Sequence, residues 1–315
     1  MIRLQAVLLA LSLSCTLVSQ AEAAGFDEGA TAYLKNDYAT ALRVLQPLAN
    51  QGDASAQSFL GMMYAQGQGA PQDDKEAVRL FRLAADQGNA SAQFYLGSMY
   101  VRGQGVPQDY KAAARLYRLA ADQGRADAQL NLGVMYDSGL GVPQDYKEAV
   151  HLFRLSADQG EASAQYCLGL MYNSGKGVQQ DYKEAVSLFR LAANQGYADA
   201  EYNLGVMYAQ GRGVPQDYKE AVRLFRLSAD QGDASAQNNL GSMYENGQGV
   251  SPNRVVAYGL YNLAAVDSSS ESKAAANRTR VAKTMSNPEI EAAQALTREL
   301  AKPNGLLKAL DRYRK

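Results

Sequence analysis

Several residue types that usually carry chemistry are scarce in this chain of 315 residues. It has no tryptophan, one histidine, two cysteines and only eight prolines. Neither sign of charge is in excess, because 31 basic residues stand against 32 acidic ones and the formal net charge is -1. Non-specific nucleic-acid binding draws its affinity from a clear excess of lysine and arginine. We therefore expect no nucleic-acid partner.

Apolar runs long enough to span a membrane are missing after the N-terminal segment. That segment has a positive start at Arg3, an apolar stretch over residues 4–18 and the small-x-small pattern Ala21-Glu22-Ala23. These features predict a signal peptide over residues 1–23 that is cleaved near Ala23. The mature chain is then exported, to the periplasm or out of the cell, and has no membrane span.

The two cysteines have different expected fates. Leu13-Ser14 before Cys15 suggests a lipoprotein signal, but Ser12 stands where leucine is expected and apolar residues continue after the cysteine. We favour ordinary cleavage over lipidation, and this choice stays open. Only Cys167 then remains in the mature chain. It has no second cysteine for an intramolecular disulfide, so stability must come from packing.

The most informative feature of the sequence is an internal repeat of 36 residues without insertion or deletion. The repeats begin at Asp53, Asn89, Arg125, Glu161, Tyr197 and Asp233, and the sixth runs to Ser268. The domain boundaries follow: a signal peptide over 1–23, a partial repeat over 24–52, six repeats over 53–268 and C-terminal capping helices over 269–315. Such periodicity is typical of solenoids, whose stacked repeats bury a core that one repeat alone cannot.

The first half of each repeat predicts a helix that ends at glycines. In the third repeat, Ala128, Leu132 and Tyr136 share one helical face, and Gly139 and Gly141 then supply the positive φ angles of a turn. A further glycine recurs inside the first helix of all six repeats, where it costs about 1 kcal/mol relative to alanine. We attribute its recurrence to a close approach of the neighbouring helix.

The second half of each repeat predicts another helix with a defined start. Asp145 precedes it and Glu148 follows three residues later, which predicts a capping box. Ala149, Leu152 and Phe153 then form an amphipathic stripe, and glycine ends the helix. Each repeat is therefore expected to be a pair of antiparallel helices.

Two motifs of this pattern carry a family resemblance. Leu132-Gly133-x-x-Tyr136 followed by Ala149-x-x-x-Phe153 resembles the tetratricopeptide repeat, although the period is 36 rather than about 34. The string A-x-A-Q-x-x-L-G-x-M-Y-x-x-G-x-G-V-P-Q-D-Y-K-E-A-V is similar to the Sel-one-like repeat, a tetratricopeptide relative common in exported bacterial proteins. The resemblance implies an all-α, right-handed α/α superhelical solenoid with a C-terminal helical cap. It also implies a scaffold or adaptor that binds proteins.

Comparison of the six repeats separates constant from variable positions in the first helix. Counted from the first residue of each repeat, positions 8, 9, 11 and 12 are constant, whereas positions 6, 7, 10, 13 and 14 change. The changing positions fall within a sector of about 120° opposite the constant face, as expected of a concave binding surface. The predicted partner-binding residues are Phe59, Met62, Phe94, Tyr95, Arg102, Leu130, Asn131, Asp137, Tyr166, Asn173, Tyr202, Asn203, Asn238 and Glu245.

These residues predict a protein or an extended peptide as the partner, because aromatic residues and arginine anchor protein interfaces. The chain itself is expected to be a monomer. An alternative stays open for the aromatic residues, above all at position 7, since they could instead pack between adjacent repeats.

No residues stand apart from the repeat pattern as an active site. His151 occupies an exposed column filled elsewhere by arginine or serine, and with Cys167 it makes no metal or nucleophile pair. Ser270-x-x-Lys273 matches a minimal β-lactamase motif, but the sequence has neither of its partner motifs. We therefore predict a chain without catalysis or cofactor. The alternatives are an envelope or peptidoglycan-associated factor and a weak β-lactam-binding hydrolase.

Overall fold

The computed structural model describes residues 24–266, 273–302 and 305–313. The predicted signal peptide, Cys15 and Ser270 lie outside these ranges. Every regular element in them is a helix: α1 (24–34), α2 (Tyr38–Asn50), α3 (Ala54–Gln66), α4 (Asp74–Asp86), α5 (Ala90–Arg102), α6 (Tyr110–Asp122), α7 (Ala126–Ser138), α8 (Tyr146–Asp158), α9 (Ala162–Ser174), α10 (Tyr182–Asn194), α11 (Ala198–Gln210), α12 (Tyr218–Asp230), α13 (Ala234–Asn246), α14 (Arg254–Ala264), α15 (Lys273–Ala282), α16 (Asn287–Leu300), α17 (Leu306–Leu310) and a final 3₁₀ turn (Asp311–Tyr313).

The helices belong to two compact units, the first ending at Leu152 and the second beginning at Phe153. In the first unit α3 packs on α4 and α5 on α6, and each pair contacts the next. In the second unit the pairs are α9 with α10, α11 with α12, and α13 with α14. The predicted all-α fold of consecutive helix pairs is confirmed. No helix within the described ranges is both long and apolar enough to cross a membrane.

The glycine inside the first helix lies against an aromatic ring of the second helix at Gly61, Gly97, Gly169, Gly205 and Gly241. A Cβ added at Gly205 would stand 2.8 Å from the ring of Phe225, and one at Gly97 would stand 2.9 Å from Tyr117. Real Cβ atoms do not come this close to a buried ring, so the two helices can approach only because the side chain is absent. The predicted close approach is confirmed.

The turn glycines hold consecutive repeats together. Gly213 has a φ of 71°, and a Cβ there would stand 2.3 Å from the backbone oxygen of Tyr182 in the preceding repeat. The turn therefore needs glycine at this position for two reasons. The backbone is left-handed there, and the backbone of the preceding repeat leaves no room for a side chain.

Aspartates begin the second helices as predicted, but the capping box does not form where it was expected. The carboxylate of Asp145 accepts from the backbone N–H groups of Lys147 and Glu148, at 2.9 and 3.2 Å. The Glu148 side chain instead accepts from Arg118. A capping box is present at α16, where Ser286 and Glu289 form it.

Removal of one such cap should have a measurable cost. Asp217 accepts from the N–H groups of Lys219 and Glu220 at 2.9 and 3.1 Å. We expect Asp217→Ala to lower the free energy of unfolding by about 1 kcal/mol, because two backbone donors lose their partner. Asp217→Asn keeps an acceptor oxygen and is the control. Urea unfolding monitored by circular dichroism would measure both, and equal losses would contradict a role in capping.

A buried glutamine links each repeat to the one before it. Gln165 donates to the backbone oxygen of Ala157 at 3.4 Å, and Gln195 donates to the Gln165 side-chain oxygen at 2.9 Å. The same column holds Gln57, Gln93, Gln129 and Gln237, all buried. We call this column the glutamine ladder. In the fifth repeat it holds Glu201, whose carboxylate accepts from Gln231 at 2.9 Å.

The last repeat is covered by the C-terminal helices. Both α15 and α16 pack on α14, and α17 packs on α12 and α16. Leu296, Leu300 and Leu310 join the core of the sixth repeat. These helices form the predicted cap, and they matter for the candidate site because they reach the first helix α13.

Candidate binding face

The variable face consists of positions 6, 7, 10, 13 and 14 of the first helices. Its aromatic residues at position 6 are half-buried and contact the second helix of their own repeat. The ring centroids are 5.7 Å apart for Phe94 and Tyr117, and 5.9 Å apart for Tyr202 and Phe225. One part of each ring is thus fixed by packing while another part stays accessible to solvent.

Position 7 shows the packing role that the sequence left open. Tyr95 stacks on Phe81 of the preceding repeat, with ring centroids 5.4 Å apart and an interplanar angle of 27°. Tyr95 therefore joins two repeats, in addition to the surface role predicted for it.

In the first unit, Arg125 gathers the aromatic residues of this face into a cluster. Its guanidinium carbon lies 4.8 Å from the ring centroid of Phe94 and 5.6 Å from that of Tyr95. Asp127 holds the guanidinium, with 2.7 Å between Nε and Oδ1. Arg125, Phe94 and Tyr95 are each half-buried, and these contacts hold the three side chains together. We call them the Arg125 cluster.

In the second unit, tyrosines form a comparable cluster. The ring centroids of Tyr166 and Tyr197 are 5.2 Å apart, and Asn203 donates to the Tyr166 hydroxyl at 3.4 Å. Burial, with the nearby Asp199 charge, raises the pKa of Tyr166 to about 12. The phenol is therefore neutral at physiological pH, and we call Tyr166 and Tyr197 the tyrosine cluster.

Arg125 and Tyr197 were not among the predicted residues. Both stand at position 1 of their repeat, immediately before the first helix, where the six repeats hold Asp53, Asn89, Arg125, Glu161, Tyr197 and Asp233. The variation at position 1 was visible in the sequence. A helical projection that begins inside the first helix leaves position 1 out.

The remaining predicted residues lie around these clusters. Arg102 is exposed and donates to Gln104. Asn131 donates to the backbone oxygen of Asp127 at 2.7 Å. The others are half-buried: Met62, Leu130, Asp137 and Asn173.

At the N-terminal end, the variable face is occupied by the chain itself. Phe59 makes edge-on contacts with Phe26 and Tyr33 of α1, at centroid distances of 5.7 and 5.2 Å. Its ring serves the packing of the partial repeat. We therefore withdraw Phe59 from the predicted partner-binding set.

At the C-terminal end, α15 occupies the same face. Asn238 is 8% exposed and accepts from Asn277 at 2.9 Å. Glu245 forms an ion pair with Arg280 and accepts from the Tyr261 hydroxyl at 2.8 Å. Asn238 and Glu245 are also withdrawn, because their polar groups bind the cap.

The described part of the chain contains no group of three or more histidine, cysteine and acidic side chains placed to hold a metal ion. His151 is exposed on α8, and Cys167 is half-buried at position 7 of α9.

The repeat pattern and the fold agree with a known family model. The model of the Sel1 repeat matches residues 54–89, 90–124, 126–161, 162–197, 198–233 and 234–265, which make up well over half of the chain. The chain belongs to the Sel1 repeat family. Sel1 repeat proteins generally act as protein-interaction scaffolds, and the family is one of non-catalytic repeats.

Solved Sel1 structures resemble this chain over most of its length. A Sel1 repeat protein from Oxalobacter formigenes is 30% identical with a TM-score of 0.70, and the match covers 79% of this chain and 98% of that one. The protective antigen c5321 of uropathogenic Escherichia coli is 25% identical with a TM-score of 0.50, over 93% of this chain and 86% of the antigen. No curated protein matches the chain.

Proposed function

We propose that this Sel1 protein is a non-catalytic scaffold of the cell envelope or the secreted fraction that holds a protein or an extended peptide on its variable face. The observation that carries the proposal is the Arg125 cluster. A cation stacked on two aromatic rings, anchored by Asp127, offers a partner large contact area at little cost in side-chain entropy. Arg125 also donates to Ser91 of the preceding repeat at 2.7 Å and so contributes to packing, but no other repeat has an arginine at position 1.

Two features support an exported location. Residues 1–23 have the pattern of a signal peptide. The similar E. coli protein is described as a protective antigen.

Charge reversal on the variable face should weaken partner binding without unfolding the chain. Arg102 and Asp137 lie at positions 14 and 13 of their repeats, closer to the C-terminal end of the first helix than the aromatic residues at positions 6 and 7. We expect Arg102→Glu combined with Asp137→Lys to weaken binding at least about tenfold, or ~1.4 kcal/mol. The measurement is retention of envelope proteins, and separately of purified peptidoglycan, on the immobilised chain.

Lys147→Glu is the matched control, since Lys147 is an exposed cation on the second helix α8. The control should retain the same proteins as the unaltered chain. Equal retention by the double variant would contradict the variable face as the binding site. Retention of peptidoglycan instead of protein would replace the proposal with the glycan-binding alternative.

A further inference from the structure

The C-terminal helix α17 is held on α12 by three kinds of contact. The Leu307 N–H donates to the Asp230 carboxylate at 3.2 Å. Arg226 donates to the backbone oxygen of Leu307 at 3.4 Å and to Oδ1 of Asp311 at 2.5 Å. Only 7% of the Arg226 side chain is exposed, whereas Asp311 is 52% exposed. Thus α12 binds a short helix through Arg226 and Asp230. Leu227 lies between them in sequence and lines a cleft together with Leu307 and Asp311.

The motif that binds α17 recurs along the array as Arg-Leu-x-x-Asp. It is present at Arg82, Arg118 and Arg154, and at Arg190 with asparagine in place of the aspartate. Leu227 beside α17 is half-buried. The equivalent leucines are exposed in the other repeats, at 41% for Leu83, 50% for Leu119, 39% for Leu155 and 51% for Leu191.

Both units contain an open cleft lined by equivalent residues. The cleft beside α17 has a volume of about 720 Å³, and that of the first unit about 690 Å³. The same repeat positions line both, with Arg118, Leu119 and Tyr136 in the first unit and Arg226, Leu227 and Tyr244 in the second. In the second cleft, Leu307 and Asp311 of the C-terminal segment complete the wall.

The arginine binds a carboxylate in both clefts. Arg118 donates to Glu148 at 2.9 Å, and the two side chains are 37% and 30% exposed. In the sixth repeat, the position of Glu148 holds Val256, and Asp311 of the C-terminal segment is the acid that binds the arginine there. A half-exposed ion pair contributes little to stability because water screens it, so an incoming carboxylate can replace Glu148.

We propose that the α6 cleft of the first unit binds a short amphipathic helix of a partner protein that shares the chemistry of α17. That helix carries two adjacent leucines and an acidic residue four positions after the second, as Leu306, Leu307 and Asp311 do. Its leucines cover Leu119, its first free N–H group faces Asp122, and its carboxylate pairs with Arg118. This second binding surface lies on the second helices and does not depend on the variable face.

Cross-linking with a peptide tests the cleft directly. The probe is a synthetic peptide of residues 305–315 with a photoreactive leucine in place of Leu306, mixed with the purified full chain. We expect cross-links to α6 and to the turn after α7. Leu119→Asp should lower their yield at least about fivefold, and Glu148→Gln should raise it by freeing Arg118. Val134→Asp is the control, because Val134 is 43% exposed on the first helix α7.

Three outcomes would overturn the assignment. Cross-links confined to α12 would mean that the peptide only exchanges with the chain's own α17. An unchanged yield in Leu119→Asp, with folding intact by circular dichroism, would place the peptide elsewhere. A dimer of the full chain that is lost in Leu119→Asp would assign the cleft to a second copy instead of a partner.

Discussion

Alanine in place of Gly213 is expected to destabilise the second compact unit by about 3 kcal/mol. The left-handed backbone at this position, with a φ of 71°, costs an alanine about 1–2 kcal/mol. The new Cβ would also stand 2.3 Å from the backbone oxygen of Tyr182. Relief of that overlap requires the two repeats to move apart, which adds about 1–3 kcal/mol of packing loss.

Gly196 offers a matched control for this substitution. Its φ of 78° is similar, but a Cβ there would have no heavy atom within 4 Å. Gly196→Ala should therefore cost only the backbone strain, about 1–2 kcal/mol. Urea unfolding combined with amide hydrogen exchange in α10 and α11 would measure both variants. Equal losses would contradict the view that the turn glycine serves the contact between repeats.

Glutamine in place of Glu201 is expected to stabilise the chain at neutral pH by about 1–3 kcal/mol, the cost of a buried polar group without its full set of hydrogen bonds. Glu201 is 3% exposed, and burial raises its pKa to about 7, while Gln231 and Arg223 oppose the shift. A glutamine can donate to the preceding repeat as its counterparts do, whereas a carboxylate cannot.

The same residue makes stability depend on pH. Between its ordinary pKa near 4.5 and its folded pKa of about 7, Glu201 holds more protons in the folded chain than in the unfolded one. A rise in pH through this window therefore favours unfolding. The advantage of Glu201→Gln should be small below pH 4.5, grow through the window and become constant above about 7.

Midpoints of urea unfolding would measure this advantage, at steps of roughly one pH unit between pH 4 and 8. Gln165→Glu is the reciprocal control, because it places a carboxylate at the same rung of the ladder one repeat earlier. It should create the loss of stability that Glu201→Gln removes. A pH-independent difference between Glu201→Gln and the unaltered chain would show that folding does not raise the pKa of Glu201.

Most of the fold could be predicted because its determinants are local and repeated six times. The stripe around Leu132, the turn glycines and the aspartate caps each depend on residues within one repeat. The capping box was predicted wrongly for a different reason. Glu148 has a choice between the backbone N–H three residues earlier and Arg118 in the preceding repeat, and a local motif cannot show which is closer.

The candidate site was less predictable, because its use depends on residues far apart in sequence. Nothing near Phe59 indicates that α1 covers it, and nothing near Asn238 indicates Asn277. The partner-binding role of the aromatic residues at positions 6 and 7 stays a prediction. The sequence does not show which of these residues pack and which stay on the surface. Tyr95, for example, packs on a ring of the preceding repeat, and a contact between repeats is not visible in a local motif.

The glutamine ladder has a consequence for how such an array changes over evolution. Each rung except that of Glu201 joins a glutamine to a backbone oxygen that the preceding repeat supplies at the same place, as Gln93 does with Ala85 and Gln237 with Ala229. Duplication or loss of a whole repeat leaves every donor opposite an acceptor. An insertion of a few residues would move the donors out of line with their acceptors. Array length can therefore change without compensating substitutions in the core, provided that the covering segments stay at the two ends.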